Sequence, residues 1–217
     1  MDRAVISYIH PGVVRAEFMR SMLNTVVAEH ERIEAVLSLQ SGPLISNARN
    51  DAVSMFLTNH KAPWLWMVDT DMVFAADALV RLIEAADPRE RPIMGGLCYS
   101  DGPEGPLPVL FELVEKEDHA EFARYTVWPE DQPFRVAGTG AACLLMHREA
   151  LRRIASGWGE KIDRAFPWFR ESSIKNRRVL GEDLTFCLRA QTAGIPIYVH
   201  TGVQIGHMKS TMLGKVT

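Results

Sequence analysis

Trp64-Leu65-Trp66-Met67-Val68-Asp69-Thr70-Asp71 is the stretch on which the reading of this chain turns. Five apolar residues in a row, with no polar residue alternating among them, describe a short strand covered on both faces. Two carboxylates one residue apart then end it. Ionised groups beside a dry core must be solvated, hydrogen-bonded or neutralised by a cation. For an oxygen-only pair, a divalent metal that also holds a diphosphate is the neutraliser that fits best. The competing explanation is structural: Asp69 or Asp71 could cap a helix starting near Ala75, since aspartate is a preferred N-cap.

Upstream, Ala4 to Ile9 is a short apolar run closed by His10-Pro11-Gly12. Val14, Phe18, Met22 and Val26 then fall on one stripe of a helix over 13–30. A second strand is expected over Ile33–Leu39. A second helix, capped by Ser46, is expected over Asn47–Asn59, with Ala48, Ala52, Met55 and Phe56 inward. Downstream, a helix over Ala76–Ala86 is stopped by Asp87-Pro88, and Ile93–Cys98 is a fourth strand. Strand and helix in strict alternation predict an α/β fold with a mostly parallel sheet flanked by helices. In such sheets ligands bind beyond the carboxyl ends of the strands, which is where the aspartates sit.

The second half reads differently. Residues 100–108 form a Gly/Pro-rich loop, and Val109–Val114 with Arg124–Trp128 suggest an antiparallel hairpin around a polar turn at 115–121. Ala141–Met146 is a strongly apolar strand followed by a helix over Arg148–Ala155. Residues 157–178 are irregular, basic and aromatic, carrying Trp158, Phe166, Trp168, Phe169, Lys175, Arg177 and Arg178. Gly181-Glu182-Asp183 opens a helix ending at Ala193, and Ile195–Val199 is a last strand with His207 beyond it. The acidic opening complements the helix dipole, and a lone histidine is commonly structural, so each signal alone has an ordinary explanation.

With 217 residues, 47% of them hydrophobic, the chain makes one domain with a sizeable core. A net charge of −3 argues against a broad nucleic-acid-binding face. Cys98, Cys143 and Cys187 are widely spaced in apolar surroundings, with no Cys-x-x-Cys pair, and read as reduced core thiols. No apolar run is long enough for a transmembrane segment or a signal peptide. The expectation is a cytoplasmic protein, a monomer or small homo-oligomer.

Asp69-Thr70-Asp71 after the third strand, Glu182-Asp183 opening a late helix, and His207 after the next strand together resemble the GT-A fold nucleotide-sugar glycosyltransferases. The resemblance is to the large group with cellulose- and chitin-synthase-like and small bacterial or phage members. Asn47-Ala48-Arg49-Asn50-Asp51 sits where that family places an Arg-Asn pair. Gly138-Thr139-Gly140, running through to Arg148-Glu149-Ala150-Leu151, is similar to its glycine-led strand and Arg-Glu-Ala-Leu helix start. The likeness spans nearly the whole chain.

It implies a single GT-A domain, with residues 1–99 as the nucleotide-sugar half and 100–217 as the acceptor half. Asp71 would coordinate Mn²⁺ or Mg²⁺, Asp69 would contact the metal or the ribose, and His207 would be a further metal ligand. Ser7, Tyr8, Gln40, Arg49 and Thr70 would complete the donor site. Gln40 stands where many relatives carry an acidic base-binding residue, and a UDP-sugar is the expected donor. Asp183 would be the general base of an inverting transfer, with Glu182 orienting it or the acceptor. Were configuration retained, Asp183 would position the acceptor instead. Trp158, Trp168 and Phe169 are candidates for an acceptor platform or for packing, and Lys209 and Lys215 for phosphate contacts. Two alternatives compete. Asp69-Thr70-Asp71 superficially fits haloacid-dehalogenase-like phosphatases, whose first Asp is a nucleophile. The chain could also be an inactive sugar-nucleotide-binding module.

Overall fold

The computed structural model describes residues 2–117, 120–157, 166–174 and 178–209, with the side chains of 173, 174 and 178 outside the description. Trp158, Lys175, Arg177 and Lys215 therefore lie outside the described residues. The elements run β1 Ala4–His10, α1 Ala16–Glu29, β2 Ile33–Gln40, α2 Ile45–Asn59, β3 Trp64–Asp69, β4 Met72–Val73, α3 Ala78–Ala85 and β5 Ile93–Ser100. They continue through β6 Leu107–Pro108, β7 Leu110–Glu115, β8 Ala120–Arg124, β9 Pro133–Val136, β10 Gly138–Thr139, β11 Cys143–His147 and α4 Arg148–Ser156. The chain closes with β12 Ser172–Ile174, β13 Arg178–Leu180, α5 Glu182–Thr192 and β14 Ile197–His207.

The main sheet is ordered β2-β1-β3-β11-β5-β14-β4. β1 runs parallel to β2 and β3, and β5 parallel to β14, while β11 is inserted antiparallel between β3 and β5. Trp64 to Val68 are all buried because both faces of β3 are covered. Leu65 and Met67 face a core shared with α2, α4 and α5, whereas Trp64, Trp66 and Val68 face one shared with α1 and α3. A separate three-stranded sheet, β10-β7-β8, flanks the carboxyl end of β5. No described helix is long and apolar enough to cross a membrane.

Several local expectations differ from the fold. Neither Asp69 nor Asp71 caps α3, whose N-cap is Asp77. Ser46 does not cap α2 either: the N-cap is Leu44, and Ser46 donates its hydroxyl to Glu171 instead. The second hairpin strand ends at Arg124, because the register Glu115↔Ala120 to Phe111↔Arg124 leaves only a short turn. Within 157–178, Ser172–Ile174 begins a small hairpin that Arg178–Leu180 completes.

The last strand does most to position the site. It extends eight residues beyond the expected end at Val199. Ile197 to His200 pair with Ile93 to Gly96, residues 201–203 bulge out, and pairing resumes at Gln204↔Leu97 and Ile205↔Cys98. Arg81 holds the bulge by donating to the Gly202 carbonyl and to Asp131. A bulge lets a strand bend and continue where a regular ladder would end. Here it carries β14 far enough for Gly206 and His207 to pair antiparallel with Val73 and Met72.

Candidate active site

The β14–β4 pairing brings His207 against the residue that precedes β4. His207 Nε2 lies 2.9 Å from Asp71 Oδ2, and the Asp71 carbonyl accepts the Met208 N–H at 2.8 Å. The other ring nitrogen, Nδ1, is 2.8 Å from the Tyr99 carbonyl. A carbonyl only accepts, so Nδ1 carries the hydrogen, and in the neutral ring Nε2 presents a lone pair to a carboxylate oxygen. Two acceptors at that distance need a shared cation, either a proton or a metal. Adjacent ligands of an octahedral ion with bonds of about 2.1 Å are themselves about 3 Å apart, so the pair fits two positions on one divalent metal. Among the described residues no three His, Cys, Asp or Glu side chains converge into a complete metal cage. Asp71 and His207 therefore form a pair of candidate ligands and not a complete site. Lys209 Nζ sits 3.8 Å from the same Asp71 oxygen.

Asp69 is held differently. Its N–H donates to the Ala142 carbonyl at 3.0 Å, and its Oδ2 accepts from Arg49 Nη2 at 3.0 Å. Its Oδ1 is buried and makes no hydrogen bond. Buried carboxylate oxygens are seldom left unpartnered, which singles this atom out at the wall of both cavities. Between the two aspartates, Thr70 donates its hydroxyl to the Ile9 carbonyl at 3.2 Å, fixing the turn.

Arg49 connects this edge to the start of α5. It is buried on the inward face of α2, donates through Nη1 to the Ala141 carbonyl, and stands with Nε 3.5 Å from Glu182 Oε1. Its guanidinium lies over the Phe169 ring. The fork donates inside the protein to Asp69, the Ala141 carbonyl and Met67 Sδ, while Nε faces Glu182 without a hydrogen bond. Arg49 stands between the two carboxylates, its Nη2 on one and its Nε facing the other, and spans them.

Asp183 accepts the Leu184 N–H at its Oδ1 (2.7 Å). Burial pushes its carboxyl above the ordinary range, against the opposing pull of that N–H and of Arg49. Burial raises Glu182 likewise, with Arg49 opposing and Asp183 adding to the rise. A carboxylate with raised basicity facing a cavity is suited to take a proton. Gly140 lies alongside, where an added Cβ would stand 3.8 Å from Asp183 Oδ2.

Two cavities meet at Asp69 and Ile45. One, of about 640 Å³, runs over the ends of β1 and β3, along Pro11, Val14, Arg15, Ser41, Thr70 and Asp71. The other, of about 380 Å³, runs past Arg49, Gly140, Glu182, Asp183 and His207 to Phe111 and Arg124. The structure thus brings together Asp69, Thr70, Asp71, His207, Arg49, Glu182 and Asp183. It sets Ser7 and Tyr8 apart. β1 runs to His10, so both lie within the strand rather than at its end; Ser7 is wholly buried between Leu37 and Met67, and Tyr8 packs on Phe18. Gln40 ends β2 beside Gly12 and lines neither cavity, whereas Ser41 lines the first. Arg15 and Arg124 line the cavities unanticipated. Their signal, a lone arginine after a strand-ending turn and another closing a hairpin, is indistinguishable in sequence from a surface charge.

Of the three aromatic candidates, Trp168 and Phe169 resolve as packing, and Trp158 lies outside the described residues. Trp168 and Phe169 are buried, Trp168 donates its indole N–H to the Leu151 carbonyl, and Phe169 stacks on Phe186 at 4.6 Å between centroids. Asn50 pins both, accepting the N–H groups of Trp168 and Phe169 and donating to the Phe169 and Ser46 carbonyls. The three cysteines are free thiols in the core. Burial pushes Cys143 up to about 11 and Cys187 up to about 12.

No family model and no curated protein matches the sequence. The fold does have solved counterparts. It is similar to A197 from STIV, with TM-score 0.59 and 18% identity over 96% of this chain and 86% of that one. It is similar to GalNAc-T7, solved with UDP, GalNAc and Mn²⁺, with TM-score 0.62 and 11% identity over 96% of this chain; the match covers 43% of the GalNAc-T7 chain. A mutant Drosophila β-1,4-galactosyltransferase 7, solved with manganese, UDP-Gal and xylobiose, matches with TM-score 0.50 and 14% identity over 95% and 71% of the two chains. The architecture is the GT-A fold of glycosyltransferases.

Proposed function

We propose that this chain is a metal-dependent glycosyltransferase that moves a sugar from a nucleoside-diphosphate sugar to an acceptor hydroxyl. The observation that carries the reading is the position of Asp69. It forms part of the wall of both cavities, with Asp71 lining the first and Arg49, Glu182, Asp183 and Asp71's partner His207 lining the second. A donor lying across that wall would put its diphosphate at the Asp71–His207 pair and its anomeric carbon toward Asp183. A bound Mn²⁺ or Mg²⁺ supplies Lewis acidity to the departing nucleoside diphosphate. Asp183 takes the acceptor hydroxyl proton as that oxygen bonds to the anomeric carbon and the bond to the diphosphate breaks. Arg49 holds Asp69 and Glu182 at fixed separation.

The UDP and manganese found with GalNAc-T7 and with the galactosyltransferase support this donor and this metal. The phosphatase alternative fares worse: Arg49 donates to one oxygen of Asp69, and a carboxylate whose charge is engaged by a guanidinium is a poorer nucleophile. The test is a panel of nucleoside diphosphates and their sugars, measured for Mn²⁺-dependent binding by calorimetry and for slow hydrolysis. Binding of a UDP-sugar only when Mn²⁺ is present is the expected result. Absence of Mn²⁺-dependent binding for every nucleoside diphosphate would overturn the proposal.

A further inference from the structure

Arg124 closes β8 and projects into the cavity that contains Asp183. Its guanidinium stacks over the Phe111 ring, 4.8 Å from the centroid, while Nη2 donates to Ser100 Oγ at 3.0 Å and Nη1 to the Pro108 carbonyl. All three partners are neutral, and among the described residues Arg124 has no carboxylate within ion-pair distance. The arginine is half buried and always charged. Its stack and two hydrogen bonds fix the fork before any ligand arrives, so little side-chain entropy remains to be lost on binding. The cavity is consequently lined both by the carboxylates of α5, with Arg49 beside them, and by a pre-set cation that has no carboxylate partner. Arg124 does not line the cavity over β1 and β3.

From this arrangement we infer that the acceptor carries an oxyanion, of phosphate-monoester type, which Arg124 binds while the acceptor hydroxyl faces Asp183. Phe111, Val109 and Leu184 add apolar lining for the body of the molecule. The inference rests on the reading of this cavity as the acceptor side. The same chemistry could come from the donor's own diphosphate, and the two sources separate experimentally.

Phenyl phosphate is the probe, with benzyl alcohol as its neutral counterpart. Its affinity is measured by calorimetry on the full chain, first alone and then saturated with UDP and Mn²⁺. Phenyl phosphate should bind the loaded protein and benzyl alcohol should not. Arg124→Gln should weaken phenyl phosphate on the order of tenfold or more, as loss of a charge-assisted contact does, and leave UDP affinity within about twofold. Arg124→Lys, which keeps the charge, should retain part of the binding and guards against a folding defect in the glutamine variant. Equal phenyl phosphate affinity in wild type and Arg124→Gln overturns the inference, as does failure of the probe to bind wild type. Weakening of UDP by the same factor also overturns it, by placing Arg124 on the donor. If UDP and Mn²⁺ do not bind at all, the glycosyltransferase reading fails, while the probe on the unloaded protein still reads the Arg124 site.

Discussion

Asp71 and His207 are 136 residues apart in the chain and 2.9 Å apart in space. Two strands of very different length create the contact: β4, two residues long, and the far end of the bulged β14. The geometry gives His207 its tautomer through the Tyr99 carbonyl and leaves Nε2 facing the carboxylate. If the pair holds the metal as proposed, both partners should be needed. Asp71→Asn and His207→Ala are each expected to reduce Mn²⁺-dependent UDP affinity by about tenfold or more, by analogy with loss of groups supporting metal sites. Thermal stability without metal should change little, since Asp71 is partly solvated. Mn²⁺-induced shifts in melting temperature, with and without UDP, measure both effects.

Arg49 should matter for folding as well as for the site. Arg49→Met would strand Asp69 Oδ2 and Glu182 near a buried methionine, and breaking a buried pair in this way costs about 3–5 kcal/mol. Arg49→Met with Asp69→Asn should recover part of that loss, because the abandoned charge is gone. Urea unfolding of the two single variants and the double variant gives the coupling directly. A loss in the double variant equal to the sum of the two single losses would show that the pair carries no interaction energy.

The sequence made the first half of the fold readable because β3, β1 and β5 are continuous apolar runs separated by helical stripes. It also placed Asp69, Asp71, Glu182, Asp183 and His207, each next to the end of a legible element. What it concealed were pairings set by distant segments. The apolar run predicts that β14 stops at Val199, since His200, Thr201, Gly202 and Gln204 interrupt it. Yet Ile197, Val199, Thr201, Val203 and Ile205 alternate as buried residues, a period-two signal that does mark the strand. Arg49 resembles a substrate ligand because a lone arginine in sequence shows no partners. Trp168 and Phe169 resemble a platform because a Gly/Arg-rich neighbourhood disguises a core segment pinned by Asn50.

That pin gives another expectation. Asn50 satisfies two backbone N–H groups and donates to two carbonyls in a buried setting. Asn50→Ala leaves those groups unpartnered, each at a cost of about 1–3 kcal/mol unless water enters. A total loss of several kcal/mol is expected in urea unfolding, with the 166–170 segment losing amide protection first in hydrogen exchange. Asn50→Asp keeps the acceptor but introduces a buried charge and loses both donated bonds. It should be no more stable than the alanine variant.

The pH dependence follows from Asp183 and Glu182, both raised by burial from ordinary values of 3.8 and 4.5. The folded state holds these protons more tightly than the unfolded chain does. Their contribution is therefore fully present below the ordinary carboxylate values and is lost as pH rises through the raised folded ones. Asp183→Asn keeps an oxygen for the Leu184 N–H but cannot ionise. It should match wild type in stability near the ordinary carboxylate value and exceed it at neutral pH. The same variant should keep Mn²⁺-dependent UDP binding and lose transfer by roughly 10²–10⁴-fold, the usual scale of general-base removal. Denaturation across a pH series, with single-turnover transfer, separates the two readouts.

Packing far from the cavities should reach the Asp71–His207 pair through β14. Gly96 sits on β5 opposite His200, where an added Cβ would fall 2.7 Å from Ile205 Cγ1 and 3.2 Å from Cys143 Sγ. Ile205 is two residues before His207 on the same strand, and β-branched side chains have few rotamers through which to retreat. Gly96→Ala must therefore displace either β11 or the end of β14, at a cost of about 1–3 kcal/mol for overpacking. A shift of β14 pulls His207 Nε2 away from Asp71, whereas a shift of β11 does not. The variant is expected to lose Mn²⁺-dependent UDP affinity beyond what its change in stability explains. Gly95→Ala is the control: its Cβ would meet Val199 Cγ2 at 3.3 Å, before the bulge, where the strand can give without moving His207. Equal metal response in the two variants, each compared with its own stability, would show that the bulge does not isolate the end of β14 from its start.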